Sequence, residues 1–180
     1  MVDRRETLLA FLTSQDGGVD QLGTPERLRT WFARHALEIP ADASVSDEDV
    51  RQARRLRAAL IALVAENSGG APADPRTVPF LESITAAAPL TLRVGERGAM
   101  RVGSAATGAA GALSILVHLA YEAQLLGDFD RFKACQSCGW AYYDTTKNRS
   151  RRWCDMASCG SREKTRAYRA RKKAAGEPIA

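Results

Sequence analysis

Hydrophobic residues recur at intervals of three and four through much of the first 130 residues, which is the spacing of amphipathic helices. Short helices are predicted over residues 4–13 and 77–87. Thr24 is predicted as the N-cap of another helix, with Pro25 at its first helical position. Ser46 is predicted to start a longer helix, because three acidic residues follow it and suit the positive end of the helix dipole. The N-terminal part is therefore expected to be mostly helical.

The longer helix is predicted to bury a stripe that runs from Val50 to Val64. The arginines expected to decorate mainly its outer face are Arg51, Arg54, Arg55 and Arg57. Residues 90–94 and 99–102 flank a glycine-bounded turn and predict a β-hairpin. The apolar segment 104–126 is predicted to be the central helix of the core.

After residue 131 the pattern changes. Aromatic residues that favour strands occur at Trp140, Tyr142, Tyr143 and Trp153, with a polar, turn-like segment before the last of them. We therefore predict a β-hairpin over this stretch. From Ser161, a candidate N-cap, a helix is predicted to about residue 174 and to end before Gly176 and Pro178.

The charge of the chain is concentrated at one end. The net charge of the 180 residues is +5, but residues 1–132 hold 14 Lys/Arg and 17 Asp/Glu, whereas residues 133–173 hold 12 and 3. A mildly acidic body with a strongly basic end indicates a polyanionic partner for that end.

All four cysteines lie in the basic end, as Cys135-Gln-Ser-Cys138 and Cys154-Asp-Met-Ala-Ser-Cys159. Two close pairs separated by fifteen residues are typical of a tetrahedral zinc site, in which each short loop gives two thiolates. Four thiolates leave no open position on the metal, so we predict a structural Zn²⁺ that supplies folding energy to a small module. A pair of redox thiols or an iron–sulfur cluster is the alternative.

Basic residues flank the second cysteine pair on both sides. Arg162, Arg166, Arg169 and Lys173 would share one face of the predicted helix. The residues predicted to contact nucleic acid are Lys147, Arg149, Arg151, Arg152, Arg162, Lys164, Arg166, Arg169, Arg171 and Lys173. A solvated charged helix, or a patch that binds the acidic N-terminal part, is the alternative. The four aromatic residues of this region could stack on bases, but a small core around the metal is the preferred interpretation.

The C-terminal motif resembles the CGNR-type zinc finger of bacteria. The residues that carry the resemblance are Cys135-x2-Cys138, Tyr143-Asp144, Asn148 to Met156, Cys159-Gly160-Ser161-Arg162, Lys164 and Tyr168-Arg169-x-Arg171. Ser161 stands where the family motif has asparagine, and serine could still cap a helix.

The upstream helical region is similar to the ABATE domain, which accompanies this finger in proteins described as stress-induced transcription regulators. Two segments carry that similarity, Thr24-Pro-Glu-x-Leu28-x-x-Trp31 and Ala53-Arg-x-Leu56-Arg57-x-Ala59-Leu60. The resemblance implies transcriptional control. The family's N-terminal strand-like motif is poorly matched by residues 8–14.

The N-terminal part offers weaker candidates. His118 and Glu122 stand four residues apart on one predicted helix, but the sequence indicates no third metal ligand. The segment Gly103 to Gly108 is similar to a phosphate loop but lacks the Lys-Ser/Thr that should follow it. We therefore expect no enzyme.

We predict a mainly α protein of two parts. Residues 1–130 form a helical domain with one small β-hairpin, and residues 131–176 form a zinc-ribbon-like β-hairpin and helix module with a basic helix. The predicted partner is nucleic acid, DNA rather than RNA. RNA binding, or a sensor or protein-interaction module whose zinc part mediates dimerisation, remains open, as do a homodimer and a small-molecule effector. The sequence has no evident signal peptide or membrane span, and we expect a cytoplasmic protein.

Overall fold

The computed structural model describes residues 3–37, 39–40 and 42–175, in which the chain forms six α-helices and three two-stranded antiparallel hairpins. The helices are α1 (Arg4–Leu12), α2 (Pro25–Arg34), α3 (Asp47–Glu66), α4 (Thr77–Ala87), α5 (Gly108–Leu125) and α6 (Ser161–Ala174). The strands are β1 (Gln15–Asp16), β2 (Val19–Asp20), β3 (Leu90–Val94), β4 (Met100–Ser104), β5 (Phe132–Ala134) and β6 (Ala141–Tyr143). The predicted mainly α class is confirmed. The predicted end of the last helix at Gly176 and Pro178, and of its module at residue 176, lies outside the described residues.

Local signals start the helices as predicted. The Thr24 hydroxyl accepts a hydrogen bond from the Arg27 N–H, and Pro25 is the first residue of α2. Ser46 and Asp49 form a capping box, in which each side chain accepts from the other residue's backbone N–H. These bonds satisfy donors that have no partner inside the helix, which fixes where α2 and α3 begin.

The core lies between α1, α3 and α5. Leu8 and Phe11 of α1, Leu56 and Leu60 of α3, and Leu116 of α5 are all at most 1% exposed and belong to one cluster. The apolar helix α5 contacts α1, α3 and α4, as its composition predicted. It begins four residues later than predicted, because Ser104 pairs in β4 and the backbone of the N-cap Thr107 is extended.

The prediction that Arg57 lies mainly on the outer face of α3 is wrong. Arg57 is 6% exposed, and its guanidinium donates to the Asp20 carboxylate at 2.8 and 3.1 Å and to the Ser14 hydroxyl at 2.8 Å. Its position continues the buried stripe, three residues before Leu60 and four after Ala53, so the helical period points it inward. Asp20, in the N-terminal hairpin, provides the counter-charge that offsets the cost of burying Arg57.

The second hairpin prediction is also wrong in its placement. The strands β5 and β6 flank the first cysteine pair, and residues 144–155, between the two pairs, form no strand. Trp153 therefore lies in a loop. Alternation explains the observed hairpin, since Phe132, Ala134 and Ala141 face the core of the helical domain while Lys133 and Tyr142 face the other side.

The first strand of this hairpin is fastened to the end of α3. The Asn67 amide donates to the carbonyl oxygens of Phe129 and Phe132, both at 2.9 Å, and the Ser68 hydroxyl donates to the Ala134 carbonyl at 2.7 Å. The C-terminal module thus shares both hydrophobic core and hydrogen bonds with the helical domain.

Within the described part of the chain, no helix combines the length and the apolar character that crossing a membrane requires.

The buried ion pair makes a testable contribution to stability. Asp20→Asn leaves the Arg57 charge without a counter-charge, and we expect the free energy of unfolding to fall by about 3 kcal/mol. Burial alone would raise the pKa of Asp20, but hydrogen bonds from Arg57 and from the Leu22 N–H lower it to about 2. The contribution of Asp20 is therefore complete above pH 4 and is lost as the pH falls through 2. Urea unfolding of both proteins between pH 2 and pH 7 measures this.

The matched control is Asp74→Asn, which breaks an exposed pair with Arg76. We expect this control to leave the urea midpoint near neutral pH unchanged. Equal stability of the Asp20→Asn and parent proteins at pH 7 would contradict the structural role of Asp20.

Candidate metal centre and nucleic-acid interface

The first cysteine pair occupies the turn of the β5–β6 hairpin. The Cys135 N–H donates to the Trp140 carbonyl at 2.9 Å, and the Gly139 N–H donates to the Cys135 carbonyl at 2.8 Å. Gly139 has a φ of 75°, a value that glycine adopts readily and other residues rarely do. This tight turn aims both thiols of the pair to one side.

The second pair occupies the turn that leads into α6. The Asp155 carboxylate accepts from the Ser158 N–H at 2.7 Å and caps a π-helical turn, Met156–Gly160, that runs directly into α6. Ser161 is therefore the first residue of α6 rather than its N-cap, and its hydroxyl donates to the Met156 carbonyl at 3.3 Å. Cys159 is placed immediately before the basic helix.

The four sulfur atoms come together. They all lie within 4.8 Å of one another, and the Cys154 sulfur is 3.7 Å from that of Cys138 and 3.8 Å from that of Cys159. A tetrahedron with metal–sulfur bonds of about 2.3 Å has sulfur–sulfur edges of about 3.8 Å. A disulfide would require about 2.05 Å. The spacing therefore fits a Zn²⁺ held by four thiolates.

The pKa values of the cysteines also indicate that this site needs a bound cation. Burial would raise the pKa of Cys135, but N–H groups of Cys154, Ser137 and Cys138 lower it to about 7. Burial and the neighbouring sulfurs raise the pKa of Cys154 to about 12, and burial raises that of Cys138. Four thiolates cannot share this volume without a positive charge, and a divalent ion supplies it.

Arg162 contacts the centre directly. Its guanidinium Nη2 donates to the Cys159 sulfur at 3.1 Å. Lys133, Arg151 and Arg152 also stand close to the cysteines in the sequence and are further candidates to offset the charge of the site. The Lys133 ammonium instead donates to the buried Asp144 carboxylate at 2.8 Å, and Arg151 donates to the carbonyl oxygens of Trp153 and Cys154. The position of Arg162 in a run of basic residues did not indicate that it would contact a sulfur.

Asp144 organises the loop between the two cysteine pairs. It is fully buried and accepts hydrogen bonds from Lys133, from the N–H and hydroxyl of Thr146, and from the Arg151 N–H. Burial would raise the pKa of Asp144, but these donors lower it well below its usual range. The sequence analysis missed this centre, although a lone acid beside Tyr143 in a basic segment was a usable signal.

The aromatic residues of the module divide between two cores. Tyr142 packs with Cys135 and Cys159, and Trp140 and Trp153 pack against this cluster. Tyr143 instead lies edge-on to Phe132, with 5.1 Å between ring centroids, and packs against the core of the helical domain. The preferred interpretation of a small core around the metal therefore holds for three of the four aromatics.

Some of the predicted nucleic-acid contacts have intramolecular partners. Arg149 donates to both carboxylate oxygens of Asp130, at 2.7 and 2.8 Å, and to the Gly127 carbonyl at 2.9 Å. These bonds tie the loop to the link after α5. Arg151 also lies over the Tyr142 ring, 5.2 Å from its centroid. Together with Arg162, these side chains support the module itself.

The remaining predicted contacts are exposed. Lys147 and Arg152 lie in the loop between the cysteine pairs, and Arg166, in α6, is paired with Glu163. The other exposed residues of the predicted set, all in α6, are Lys164, Arg169, Arg171 and Lys173. No residue of α6 is buried. Its first turn is held by the Ser137 hydroxyl, which donates to the Glu163 carboxylate at 3.1 Å.

The candidates in the helical domain do not assemble into a site. Glu122 forms an ion pair with Arg4, and burial lowers the pKa of His118. In the described ranges, the four cysteines are the one group of potential ligands close enough to hold a metal. The glycine-rich segment 103–108 joins β4 to α5, and its Ser104 hydroxyl accepts from the Ala106 N–H at 3.1 Å.

Zinc removal tests the role of the metal. Zinc binding to small modules contributes roughly 10–16 kcal/mol of apparent free energy, so we expect α6 to lose its helical structure on chelation. Circular dichroism should report the loss of about one short helix, and limited proteolysis should cut after the first cysteine pair. Cys138→Ser should behave like the chelated protein, whereas Ser137→Ala should keep one zinc per chain. Unchanged helix content in metal-free protein would contradict this role.

Comparisons with known proteins agree with this geometry. Residues 131–172 match the family model of the CGNR zinc finger. Residues 6–127, about two thirds of the chain, match the ABATE model, described as "Putative stress-induced transcription regulator". A search of curated proteins finds no match. The predicted structural zinc site is confirmed by the finger family together with the clustered sulfurs. The chain therefore belongs to the ABATE family and carries a C-terminal CGNR zinc finger.

Proposed function

We propose that the chain is a DNA-binding transcription regulator and that α6 is the element that enters the DNA. The two family descriptions indicate nucleic-acid binding in general terms. The observation that carries the finer proposal is that no residue of α6 is buried, while Arg162 and Glu163 hold its first turn to the cysteine turns.

The charge of α6 fits a groove lined by phosphates. Its 14 residues contain seven Lys or Arg and one acid, Glu163. Arg166, Arg169 and Lys173 lie on one side of the helix, and Lys164 and Arg171 lie on another. A helix that is basic on more than one side can neutralise phosphates on both walls of a groove.

The shape of α6 favours DNA over RNA. At 1.5 Å per residue the helix is about 21 Å long. The major groove of B-form DNA admits an α-helix, whereas the deep and narrow major groove of A-form RNA does not. Lys147 and Arg152 are exposed in the loop that leads to the second cysteine pair, and we expect them to add contacts to the DNA backbone.

We propose no catalytic activity for the chain. We expect it to act in the cytoplasm of a bacterial cell, where thiols stay reduced and available to zinc. A homodimer would present two copies of α6 to a two-fold symmetric site, and it remains a prediction.

Fluorescence anisotropy with duplex DNA tests the proposal. The triple variant Arg166→Ala, Arg169→Ala, Lys173→Ala should bind at least about tenfold more weakly. The slope of log affinity against log salt should fall by roughly 0.9 per lost phosphate contact, about 2.7 for the triple variant. Arg162 is left unchanged because it contacts the Cys159 sulfur, so its loss would disturb the metal site.

The control removes three exposed arginines of the helical domain, Arg34→Ala, Arg51→Ala and Arg101→Ala, with the same change in net charge. Its affinity and salt slope should stay close to those of the parent chain. Equal losses in both triple variants would mean that net charge, not α6, carries binding. Tighter binding of single-stranded RNA than of duplex DNA in competition would overturn the choice of DNA.

A further inference from the structure

A cavity of about 520 Å³ lies where the helical domain meets the zinc module. Its walls come from the first turns of α1, from the C-terminal half of α5, and from the link and first strand of the module. The lining residues are Asp3, Arg4, Arg5, Leu8, Leu119, Glu122, Ala123, Leu126, Asp128 and Phe132. The sequence did not predict this cavity, because its lining residues come from three separate segments.

The size and surface of the cavity suit a small organic molecule. Sites for such ligands have volumes of about 300–1,000 Å³, mostly apolar walls and a few polar groups. Leu8, Leu119, Ala123, Leu126 and Phe132 supply apolar walls. Leu126 is 72% exposed, which puts it at the mouth of the cavity, whereas Phe132 is 1% exposed and closes its far side.

One carboxylate oxygen of the cavity, Oε2 of Glu122, lacks a donor in the described part of the chain. Oε1 of Glu122 pairs with Arg4, but Oε2 is buried and has no hydrogen-bond partner among the described residues. The Arg5 guanidinium lies over the Tyr143 ring, 4.9 Å from its centroid. A buried carboxylate oxygen without a partner is costly, and most such atoms in proteins have one.

The charged residues of the lining also favour a ligand that donates a hydrogen bond. Three carboxylates, of Asp3, Glu122 and Asp128, face two guanidinium groups. Asp3 is already used as the N-cap of α1, where it accepts from the Arg5 N–H at 2.9 Å. Asp128 is paired with Arg131 at 3.7 Å, so Oε2 of Glu122 is the carboxylate oxygen that the cavity leaves open, and it favours a protonated donor over an anionic ligand.

We propose that this cavity binds a small apolar molecule that carries one protonated amine. The amine donates to Oε2 of Glu122, and the apolar body of the ligand covers the leucines and Phe132. Arg4, whose side chain is 57% exposed, can move aside to admit the amine.

Occupancy of the cavity is linked to the zinc module. Phe132 begins the strand that leads to Cys135, and Asp128 lies in the link between α5 and that strand. A ligand that packs on Phe132 contacts the strand that leads to Cys135, and coupling between two sites is reciprocal, so zinc and ligand change each other's binding by the same factor. The cavity is therefore placed to pass the presence of a ligand to the element that carries α6.

Three probes with one apolar body test the proposal on the zinc-loaded full chain without nucleic acid. They are 4-phenylbutylamine, 4-phenylbutanol and 4-phenylbutyrate, followed by methyl chemical shifts of the cavity leucines in NMR titrations. The amine should bind at least about tenfold more tightly than the alcohol or the carboxylate. Glu122→Gln should remove this advantage and leave the affinity for the alcohol unchanged.

Two further variants keep the result interpretable. Ala123→Phe fills the cavity and should abolish binding of all three probes. Leu126→Lys, at an exposed position, should weaken binding of the amine alone by like-charge repulsion at the mouth. The matched control Glu82→Gln, on the exposed face of α4, should bind like the parent chain.

Equal affinities for the three probes, or an amine preference that survives in Glu122→Gln, would overturn the proposal. Absence of methyl shifts with millimolar amine would do the same. Because binding is read without DNA, these outcomes are independent of whether α6 binds DNA.

Discussion

The rest of the structure depends on the closure of two distant cysteine pairs around one ion. One pair sits in a hairpin turn and the other in the turn before α6, and the segments are also joined by a bond from the Gln136 N–H to the Arg152 carbonyl. The contacts that accompany the closure are a guanidinium on the Cys159 sulfur and a hydroxyl–carboxylate bond from Ser137 to Glu163. The Ser137–Glu163 bond joins the two turns and so forms only when they are together, whereas Arg162 contacts a sulfur of its own turn. The metal therefore determines the direction in which the basic helix leaves the protein.

The zinc module packs against the helical domain and is not joined to it by a linker alone. Phe132, Ala134 and Ala141 belong to the core that α1, α3 and α5 build, and the side chains of Asn67 and Ser68 hold carbonyl groups of the module. Asp144 accepts hydrogen bonds from the loop between the cysteine pairs and orders it. The outer part of the module is therefore held on an ordered hairpin. This arrangement gives a rigid path from the helical domain to the metal, and from the metal to the helix that we propose enters DNA.

Features fixed by local physics could be predicted from the sequence. The caps at Thr24 and Ser46, the hairpin predicted over residues 90–102 and the cysteine ligand spacing each depend on neighbours in the chain. The structure has all of them, with the second strand of the hairpin extended to Ser104. Features that depend on distant partners were misplaced or missed. Arg57 was assigned outward because its partner Asp20 lies 37 residues away. The hairpin of the module was shifted because aromatic residues favour strands, whereas burial against the helical domain decides which residues pair. The ion pair of Arg149 with Asp130 was missed, because only folding brings these two residues together.

X-ray absorption at the zinc edge of the purified full chain tests the central claim most directly. The account predicts one zinc per chain with four sulfur neighbours at about 2.3 Å and no nitrogen or oxygen neighbour. Fewer than four sulfurs in the first coordination sphere, or protein that folds with α6 intact and no bound metal, would contradict it.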